Sequence, residues 1–170
     1  ESIKNGKITS IISDAGTPTL SDPGLIVIKE CIKEKLKIFP IPGVSAVTTA
    51  MSVSGFEEKY FFYGFLPKKI NDIEKKIKDL KDFKFNMVFF IPAIKINFYV
   101  KIFKKFFLGR KIFIARELTK IHETFYRENL DSFNGFKIKL KGELTVIISG
   151  KVFSSPEKNL VDEMNLKKEI

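Results

Sequence analysis

The segment 13–24, with the sequence SDAGTPTLSDPG, gathers hydroxyls, carboxylates and backbone amides that could bind a ligand in one loop. Its hydroxyls and backbone amides suit a ligand with polar edges, and Asp14 and Asp22 suit a cationic centre. The segment lacks both glycine-rich patterns that bind phosphates in nucleotide-binding loops. The alternative is a purely structural turn, in which Asp22 caps a helix that begins at Pro23. For an isolated strand, turn and helix, that alternative is favoured.

A second polar group, Arg116–Lys120, combines both charges and a hydroxyl directly after an apolar run. Functional residues often gather in such loops, although an exposed polar turn has the same local pattern and the local pattern alone favours it. His122 is the only histidine, so no pair of histidines can hold a metal ion. The single cysteine, Cys31, lies on an apolar helix face, which indicates a buried thiol and excludes an internal disulfide. We therefore predict no metal site.

The spacing of apolar residues predicts the elements that position these groups. Before residue 57 it predicts a buried strand at 8–13, a helix at 23–35, a short strand at 36–41 and a helix at 46–54. Gly55 is expected to end the last of these helices. Because strands and helices alternate, a parallel sheet is expected up to about residue 56.

The pattern changes after residue 59. An aromatic strand at 60–66 precedes an amphipathic helix at 71–82, which Asn71 and Glu74 would start as a capping box. A Lys- and Phe-rich helix at 94–107 is expected to end at Gly109. Further strands are predicted at 87–91, 111–116, 124–127 and 144–149. The fold class is thus α/β with two domains, the end of a parallel-sheet domain at 1–58 and a mixed-sheet domain at 59–153, followed by a polar tail at 154–170.

Composition places the chain among folded proteins, and no membrane contact is expected. Of its 170 residues 44% are hydrophobic, and no apolar run approaches the ~18 residues that span a bilayer. Segment 1–7 lacks the apolar core of a signal peptide, so we expect a cytoplasmic protein. The chain begins with Glu1 rather than Met and just before an internal strand, so we also expect it to be part of a longer protein.

The net charge of +10 favours an anionic partner, and nucleic acid is the obvious class. Lys68–Lys69 and Lys104–Lys105 flank aromatic stretches, a pattern compatible with contacts to an RNA backbone. However, nearly all of the positive charge is lysine, and enrichment in Lys, Ile, Phe and Asn also follows from an AT-rich coding sequence. The two explanations have equal weight, and the charge alone does not decide between them.

Five motifs in sensible order carry a resemblance over about residues 8–150. Together they resemble the ribosomal RNA small subunit methyltransferase I family, which belongs to the tetrapyrrole methylase-like (class III) S-adenosylmethionine-dependent methyltransferases. The motifs are DAGTP with SDPG at 14–24, IPGVSA at 41–46, GFLPKK at 64–69, ARELTKIHE at 115–123 and KGE at 141–143.

The resemblance implies a two-domain α/β enzyme, usually a homodimer, that holds S-adenosylmethionine between its domains. It implies 2′-O-methylation of a cytidine of 16S ribosomal RNA in the small subunit. Arg116, Glu117 and Lys120 correspond to the polar cluster near the cleft and are the catalytic or RNA-facing candidates. Glu117 and Lys120 are the candidate bases, Lys120 only if burial lowers its pKa. The donor-binding candidates are Asp14, Ala15, Gly16, Thr17, Pro18, Ser21, Asp22, Pro23, Gly24, Ser45, Ala46 and the strand residues Phe89 and Phe90.

Two departures from the family pattern concern the donor pocket. A Thr-Pro-Ile-Gly-Asn-like loop and an acidic Glu-Asp-Thr-Arg-like segment precede these motifs in the family and are missing from this sequence, which leaves the pocket incomplete. A Glu-Ser-Pro-His-Arg-like run is replaced by Ile91–Lys95, without the acid, the histidine or the arginine. Two alternatives stay open: another class III methyltransferase acting on a tetrapyrrole or a protein, and a truncated, non-catalytic chain that binds RNA or a second copy.

Overall fold

The computed structural model describes residues 3–14 and 16–151. Two helices come first, and a five-stranded sheet with two further helices follows. The helices are α1 (Leu25–Lys33), α2 (Ala46–Ser54), α3 (Ile70–Asp79) and α4 (Ile96–Phe106), the last preceded by a 3-10 turn at Ala93–Lys95. The strands are β1 (Tyr60–Phe65), β2 (Asn86–Pro92), β3 (Lys111–Arg116), β4 (Thr124–Asn129) and β5 (Glu143–Ile148).

The sheet is mixed, as the sequence predicts. Its strand order is β1-β2-β5-β3-β4, with β1 and β2 parallel and every other pair antiparallel. The parallel pair needs a crossover, which α3 provides, because two parallel strands cannot be joined by a tight turn. The ends of β1, β2 and β3 therefore lie at the same edge of the sheet as the beginnings of β4 and β5.

Side-chain alternation along the strands builds a core on each face of the sheet. On one face, Phe89 of β2 packs with Ile73 and Ile77 of α3 and with Phe103 of α4, all at most 2% exposed. On the other face, the adjacent Val88 packs with the small helix α2. The sheet is thus covered by α3 and α4 on one side and by α2 on the other.

Helix α2 is short and built of small residues, which lets its backbone approach the sheet closely. Val47 and Ala50 are buried against Phe113 and Ile147, and Ala50 is fully inaccessible. Gly55 ends the helix with φ +76°, the left-handed conformation that glycine adopts without strain. Both the helix and its glycine terminus are confirmed.

The strands predicted at 8–13 and 36–41 are wrong for this structure, and so is the parallel sheet up to residue 56. A strand exists only when a neighbour accepts its backbone hydrogen bonds, and the described residues supply no such neighbour here. Ile8 and Ile12 are accordingly 98% and 88% exposed. The division of the chain at residue 58 stays a prediction.

Three predicted details of the helix ends are also corrected. The N-cap of α1 is Gly24 rather than Asp22, and no side chain caps it, because the chain turns two residues later than predicted. The N-cap of α3 is Lys69, so Asn71 and Glu74 form no capping box. The helix predicted at 94–107 is divided, because a 3-10 turn at Ala93–Lys95 precedes it.

Among the described residues, no helix has the length and apolar character needed to cross a membrane.

Candidate functional site

The loops after β3 and before β5 meet at one edge of the sheet. In the strand register, Arg116 at the end of β3 lies opposite Leu144, while Glu143 at the start of β5 lies opposite Pro92. The backbone amide of Ala93 donates to the carbonyl of Gly142 at 3.0 Å. The segments that follow β2 and β3 are therefore both anchored on the beginning of β5.

Two hydrogen bonds join Glu117 and Glu143, one between their backbones and one from the Glu143 amide to the Glu117 carboxylate. The amide of Glu117 donates to the carbonyl of Glu143 at 3.0 Å, and the amide of Glu143 donates to Oε1 of Glu117 at 2.9 Å. The Glu117 side chain is only 17% exposed. The hydrogen bond from the Glu143 amide, followed by that from Lys120, holds the pKa of the Glu117 carboxyl below its usual value.

Lys120 bridges two carboxylates. Its Nζ lies 3.1 Å from Oε1 of Glu117 and 3.1 Å from Oε2 of Glu143. The hydrogen bonds to Glu143 and then to Glu117 raise the pKa of Lys120. The lowered pKa that a lysine base requires is therefore not present, and Lys120 is a fixed cation here. Glu117, an ionised carboxylate with a lowered pKa, is a correspondingly weak base.

Gly142 makes this arrangement sterically feasible. Its φ is +98°, and a Cβ at this position would lie 2.5 Å from Cδ and Oε1 of Glu117. Any larger residue would therefore push the Glu117 carboxylate out of its place beside Glu143. The pair Gly142 and Glu143 belongs to the site; the sequence analysis included both in the motif at 141–143 but assigned neither residue a role. The available signal was a glycine directly before an acidic residue at the start of a strand.

Arg116 fixes the same loops by a different route. Its Nε donates to the carbonyl of Lys141 at 2.9 Å and its Nη1 to the carbonyl of His122 at 3.4 Å. The turn from Arg116 to His122 is tight, because Glu117 and Thr119 have φ of +49° and +62°. Arg116 thus ties the loop after β3 to the loop before β5.

The donor-binding candidates of segment 13–24 approach two later motifs. The Thr17 hydroxyl lies 3.4 Å from the carbonyl of Val44, the residue before Ser45. A Cβ on Gly64, in β1, would lie 3.0 Å from the Ser21 hydroxyl oxygen, so Ser21 sits directly against that strand. The structure therefore brings the first donor motif against both the beginning of α2 and the end of β1.

Phe89 and Phe90 face opposite sides of the sheet. Phe89 is fully buried beneath α4, with its ring centroid 5.4 Å from that of Phe103. Phe90 lies on the α2 side, partly exposed, with ring centroids 5.1 Å from Phe62 and 5.4 Å from Phe65. Only Phe90 shares a face with the first donor motif. Leu118, from the polar loop, packs against the same cluster.

These residues fit one wall of a site for S-adenosylmethionine. Hydroxyls of Thr17 and Ser21 and the aromatic group around Phe90 provide polar and apolar surfaces side by side. Ser45 is the N-cap of α2, and its side chain is not engaged in capping. The missing Cβ of Gly64 leaves room beside Ser21. Asp14, Gly16 and Pro23 lie on the exposed side of the loop, and Ala15 falls outside the described residues.

The sequence-predicted site residues thus fall into two groups at one edge of the sheet. Arg116, Glu117 and Lys120 form a connected cluster with Glu143. The donor candidates, apart from Phe89, lie on the α2 side of the sheet or in the loop against it. His122 contributes only its backbone carbonyl to the cluster. The roles assigned to all of these residues stay predictions.

Comparison with known proteins shows which family this chain is similar to. The family described as Tetrapyrrole (Corrin/Porphyrin) Methylases matches residues 1–134. Relatives named "Ribosomal RNA small subunit methyltransferase I" include that of Thermotoga maritima, 40% identical over 152 residues that make up 88% of this chain and 68% of the relative. That of Mesomycoplasma conjunctivae is 33% identical over 165 residues, or 96% of this chain and 68% of the relative. That of Bacillus subtilis is 31% identical over 153 residues, or 88% and 52%.

Two solved structures share the fold. The methyltransferase CobJ superimposes with a TM-score of 0.59 at 17% identity, covering 79% of this chain and 62% of that protein. The cobalt precorrin-4 methyltransferase CbiF superimposes with a TM-score of 0.53 at 16% identity, covering 79% and 61%. The chain spans about half to two thirds of the length of the relatives named above. It belongs to the tetrapyrrole methylase family and, within it, to the ribosomal RNA small subunit methyltransferase I family.

Proposed function

We propose that the protein is an S-adenosylmethionine-dependent methyltransferase that modifies the ribose 2′-hydroxyl of a cytidine in 16S ribosomal RNA of the small subunit. We further propose that it works as a cytoplasmic homodimer. The proposal rests on one observation: the polar cluster of Arg116, Glu117 and Lys120 and the donor-binding candidates lie at the same edge of the sheet. Leu118, inside the polar loop, packs on the same face as Phe90 and α2, against which the first donor motif lies.

The donor would be held by the loop and by the start of α2. Thr17, Ser21 and Ser45 offer hydroxyls, the backbone of 14–24 offers amides, and Phe90 offers an aromatic surface. When bound, S-adenosylmethionine supplies an electrophilic methyl group on a sulfonium. Asp14 and Asp22 lie in the same loop and provide negative charge that favours a cationic ligand. The remaining contacts come from Gly16, Pro18, Pro23 and Ala46, with Ala15 predicted among them.

The polar cluster would orient the ribose and stabilise charge rather than remove a proton with a strong base. Lys120 stays protonated between Glu117 and Glu143. A fixed cation of this kind stabilises the negative charge that develops on a 2′-oxygen as its proton passes to solvent water. Positioning the hydroxyl correctly supplies a large part of the rate enhancement in such transfers. Arg116 holds the loop that carries Lys120, and Glu117 fixes its ammonium group.

Cations near the same edge favour RNA over an uncharged substrate. Lys68 and Lys69 follow the end of β1, and both are exposed. They place positive charge beside the site, where RNA phosphates are attracted without regard to sequence. Identity of 31–40% to relatives named "Ribosomal RNA small subunit methyltransferase I" supports the same choice.

The test is methyl transfer by the full-length protein. Tritiated S-adenosylmethionine is offered with unmodified small subunits, with free 16S RNA and with a tetrapyrrole, and labelled nucleosides are identified by mass spectrometry. We expect 2′-O-methylcytidine from the small subunit. Lys120→Ala should reduce the rate by about 10²-fold or more, as loss of one preorganised charge-stabilising donor does. Lys111→Ala, at the other end of β3, is the matched control and should retain activity.

Three results would contradict the proposal: label on a tetrapyrrole, label on a base instead of a ribose, or equal activity of the two lysine variants. Calorimetry with S-adenosylmethionine tests the donor site separately. We expect weak or absent binding by the 170-residue chain and clear binding by the full-length protein, because the motifs present here form only one wall. Sedimentation of the full-length protein tests the homodimer.

A further inference from the structure

A basic groove lies between α3 and α4, on the face of the sheet opposite to α2 and the donor motif. Three of the six residues that line it are lysines. The lining residues are Asn71, Glu74, Lys75, Lys78, Lys105 and Phe106. The groove is open to solvent along its length and contains no part of the candidate site described above.

One ion pair joins the two walls of the groove, and two lysines of the α3 wall form none with the residues that the structure describes. Nζ of Lys105 lies 3.2 Å from Oε1 of Glu74 and 5.3 Å from the centre of the Phe106 ring. These contacts join α4 to α3 and orient the ammonium group. Lys75 and Lys78 form no ion pair with any residue that the structure describes. Three lysines against one glutamate leave the groove with a net positive charge.

The fold connects this groove to the candidate site. Helix α3 begins directly after Lys69, at the edge where β1 ends, and it returns toward the beginning of β2. Lys75 and Lys78 lie farther along the same helix, beyond Asp72 and Glu74. Lys75 and Lys78, three residues apart, are neighbours on the helix surface. A polyanion that spans the site and the groove meets Lys68 and Lys69 at one end of α3 and Lys75 and Lys78 farther along the helix.

We propose that the groove between α3 and α4 binds the phosphate backbone of the RNA substrate, outside the reacting centre. The proposal rests on the proposed function for the identity of the RNA. Ammonium groups on flexible stems bind phosphates as point charges, without reading sequence. The groove would therefore contribute affinity and orientation, while the choice of nucleotide is made at the sheet edge.

The experiment compares two double variants of the full-length protein that change the net charge equally. K75Q/K78Q removes the two groove lysines. K76Q/K111Q removes one exposed lysine of the same helix that does not line the groove and one at the far end of β3. Binding of a fluorescein-labelled fragment of small-subunit ribosomal RNA is followed by anisotropy between 0.05 and about 0.5 M salt, a range in which phosphate contacts dominate.

Loss of two phosphate contacts should lower the slope of log affinity against log salt by about 1.4 to 1.8. If the electrostatic contribution vanishes near 1 M salt, this corresponds to a loss of about 25-fold to 60-fold at 0.1 M. K76Q/K111Q should bind like the unmodified protein, and K75R/K78R should retain the affinity. The arginine variant excludes damage to α3 as the cause of any loss.

Equal weakening of both glutamine variants, or no weakening of K75Q/K78Q, would overturn the groove proposal and leave the proposed function intact if methyl transfer to the small subunit persists. An unmodified protein that neither binds nor methylates small-subunit RNA would instead overturn the proposed function, and the groove proposal with it. Methyl transfer and anisotropy, measured on the same samples, separate these outcomes.

Discussion

Gly142→Ala tests the geometry of the polar cluster most directly. The backbone at this position has φ +98°, and the new methyl group would lie 2.5 Å from the Glu117 carboxylate. The obstructing atoms are the end of a flexible side chain, so Glu117 is expected to rotate away rather than the fold to open. Lys120 would then keep only Glu143 as its partner, and the Glu143 amide would lose its hydrogen bond to Glu117.

The cost follows from two contributions. Placing a residue with a Cβ in this backbone conformation costs about 1 to 3 kcal/mol. Loss of the hydrogen bond from the Glu143 amide to the Glu117 carboxylate adds about 0.5 to 1.5 kcal/mol. The free energy of unfolding should therefore fall by about 1.5 to 4.5 kcal/mol. The pKa of Glu117 should also rise toward its ordinary value, because the amide of Glu143 is the main cause of its lowering.

Urea denaturation gives the stability, and a ¹³C NMR titration of the glutamate carboxyl groups gives the pKa of Glu117. Gly109→Ala is the matched control. Its φ is +74°, yet a Cβ there meets nothing within 4 Å, and it lies at the opposite edge of the sheet. The control should lose stability through backbone strain alone and leave the Glu117 pKa unchanged. Equal losses of stability in both variants, together with an unshifted pKa in Gly142→Ala, would refute the packing argument.

Three further predictions concern the cluster and the two cores. Glu117→Gln should flatten the acid limb of the stability curve: the pKa of Glu117 is lowered by folding, so its stabilisation is present above the ordinary pKa and is lost as the pH falls through the lowered value. Urea midpoints of the two proteins between pH 2 and 7 should therefore begin to approach each other as the pH falls below about 4.5 and meet only below the lowered pKa of Glu117, and parallel curves would contradict this. Arg127→Ala should lower the free energy of unfolding by about 1 to 2 kcal/mol. Arg127 donates to the Val53 carbonyl at the end of α2, and its guanidinium lies 4.9 Å from the centre of the Phe113 ring. Denaturation midpoints equal to those of the unmodified protein would show that these two contacts do not stabilise the fold. Phe103→Ala, at a fully buried position, should cost about 3 to 5 kcal/mol in the same assay, and a loss below 1 kcal/mol would mean that the core between α4 and the sheet is not packed as described.

The sequence predicts the second half of the fold well, since each element there carries its own signal. Helices α3 and α4 have one apolar stripe each, and each of the five strands contains a short apolar or aromatic run. The small residues of α2 and its terminal glycine predicted this helix equally well. Helix starts were less accurate, because Lys69 and Gly24 are N-caps without the side-chain hydrogen bond that the capping rules use.

The two wrong strands have a different origin. Segments 8–13 and 36–41 have the composition of buried strands, and composition reports only what a segment would do with a partner. Strand formation depends on neighbours distant in sequence, whereas a helix satisfies its own backbone. The composition of a segment does not report whether a neighbouring strand is there to pair with it.

For the site, the sequence alone determined which residue types lie after which strands, and hence that Arg116, Glu117 and Lys120 are a candidate cluster and 14–24 a candidate loop. Only the tertiary structure decided that Gly142 and Glu143 belong to that cluster, that Phe90 and not Phe89 faces the donor motif, and that Lys120 is held as a cation. The physical reason is that β5 joins the sheet between β2 and β3. This antiparallel insertion sets Glu143 beside Glu117, 26 residues away in the chain, and no local pattern encodes that contact.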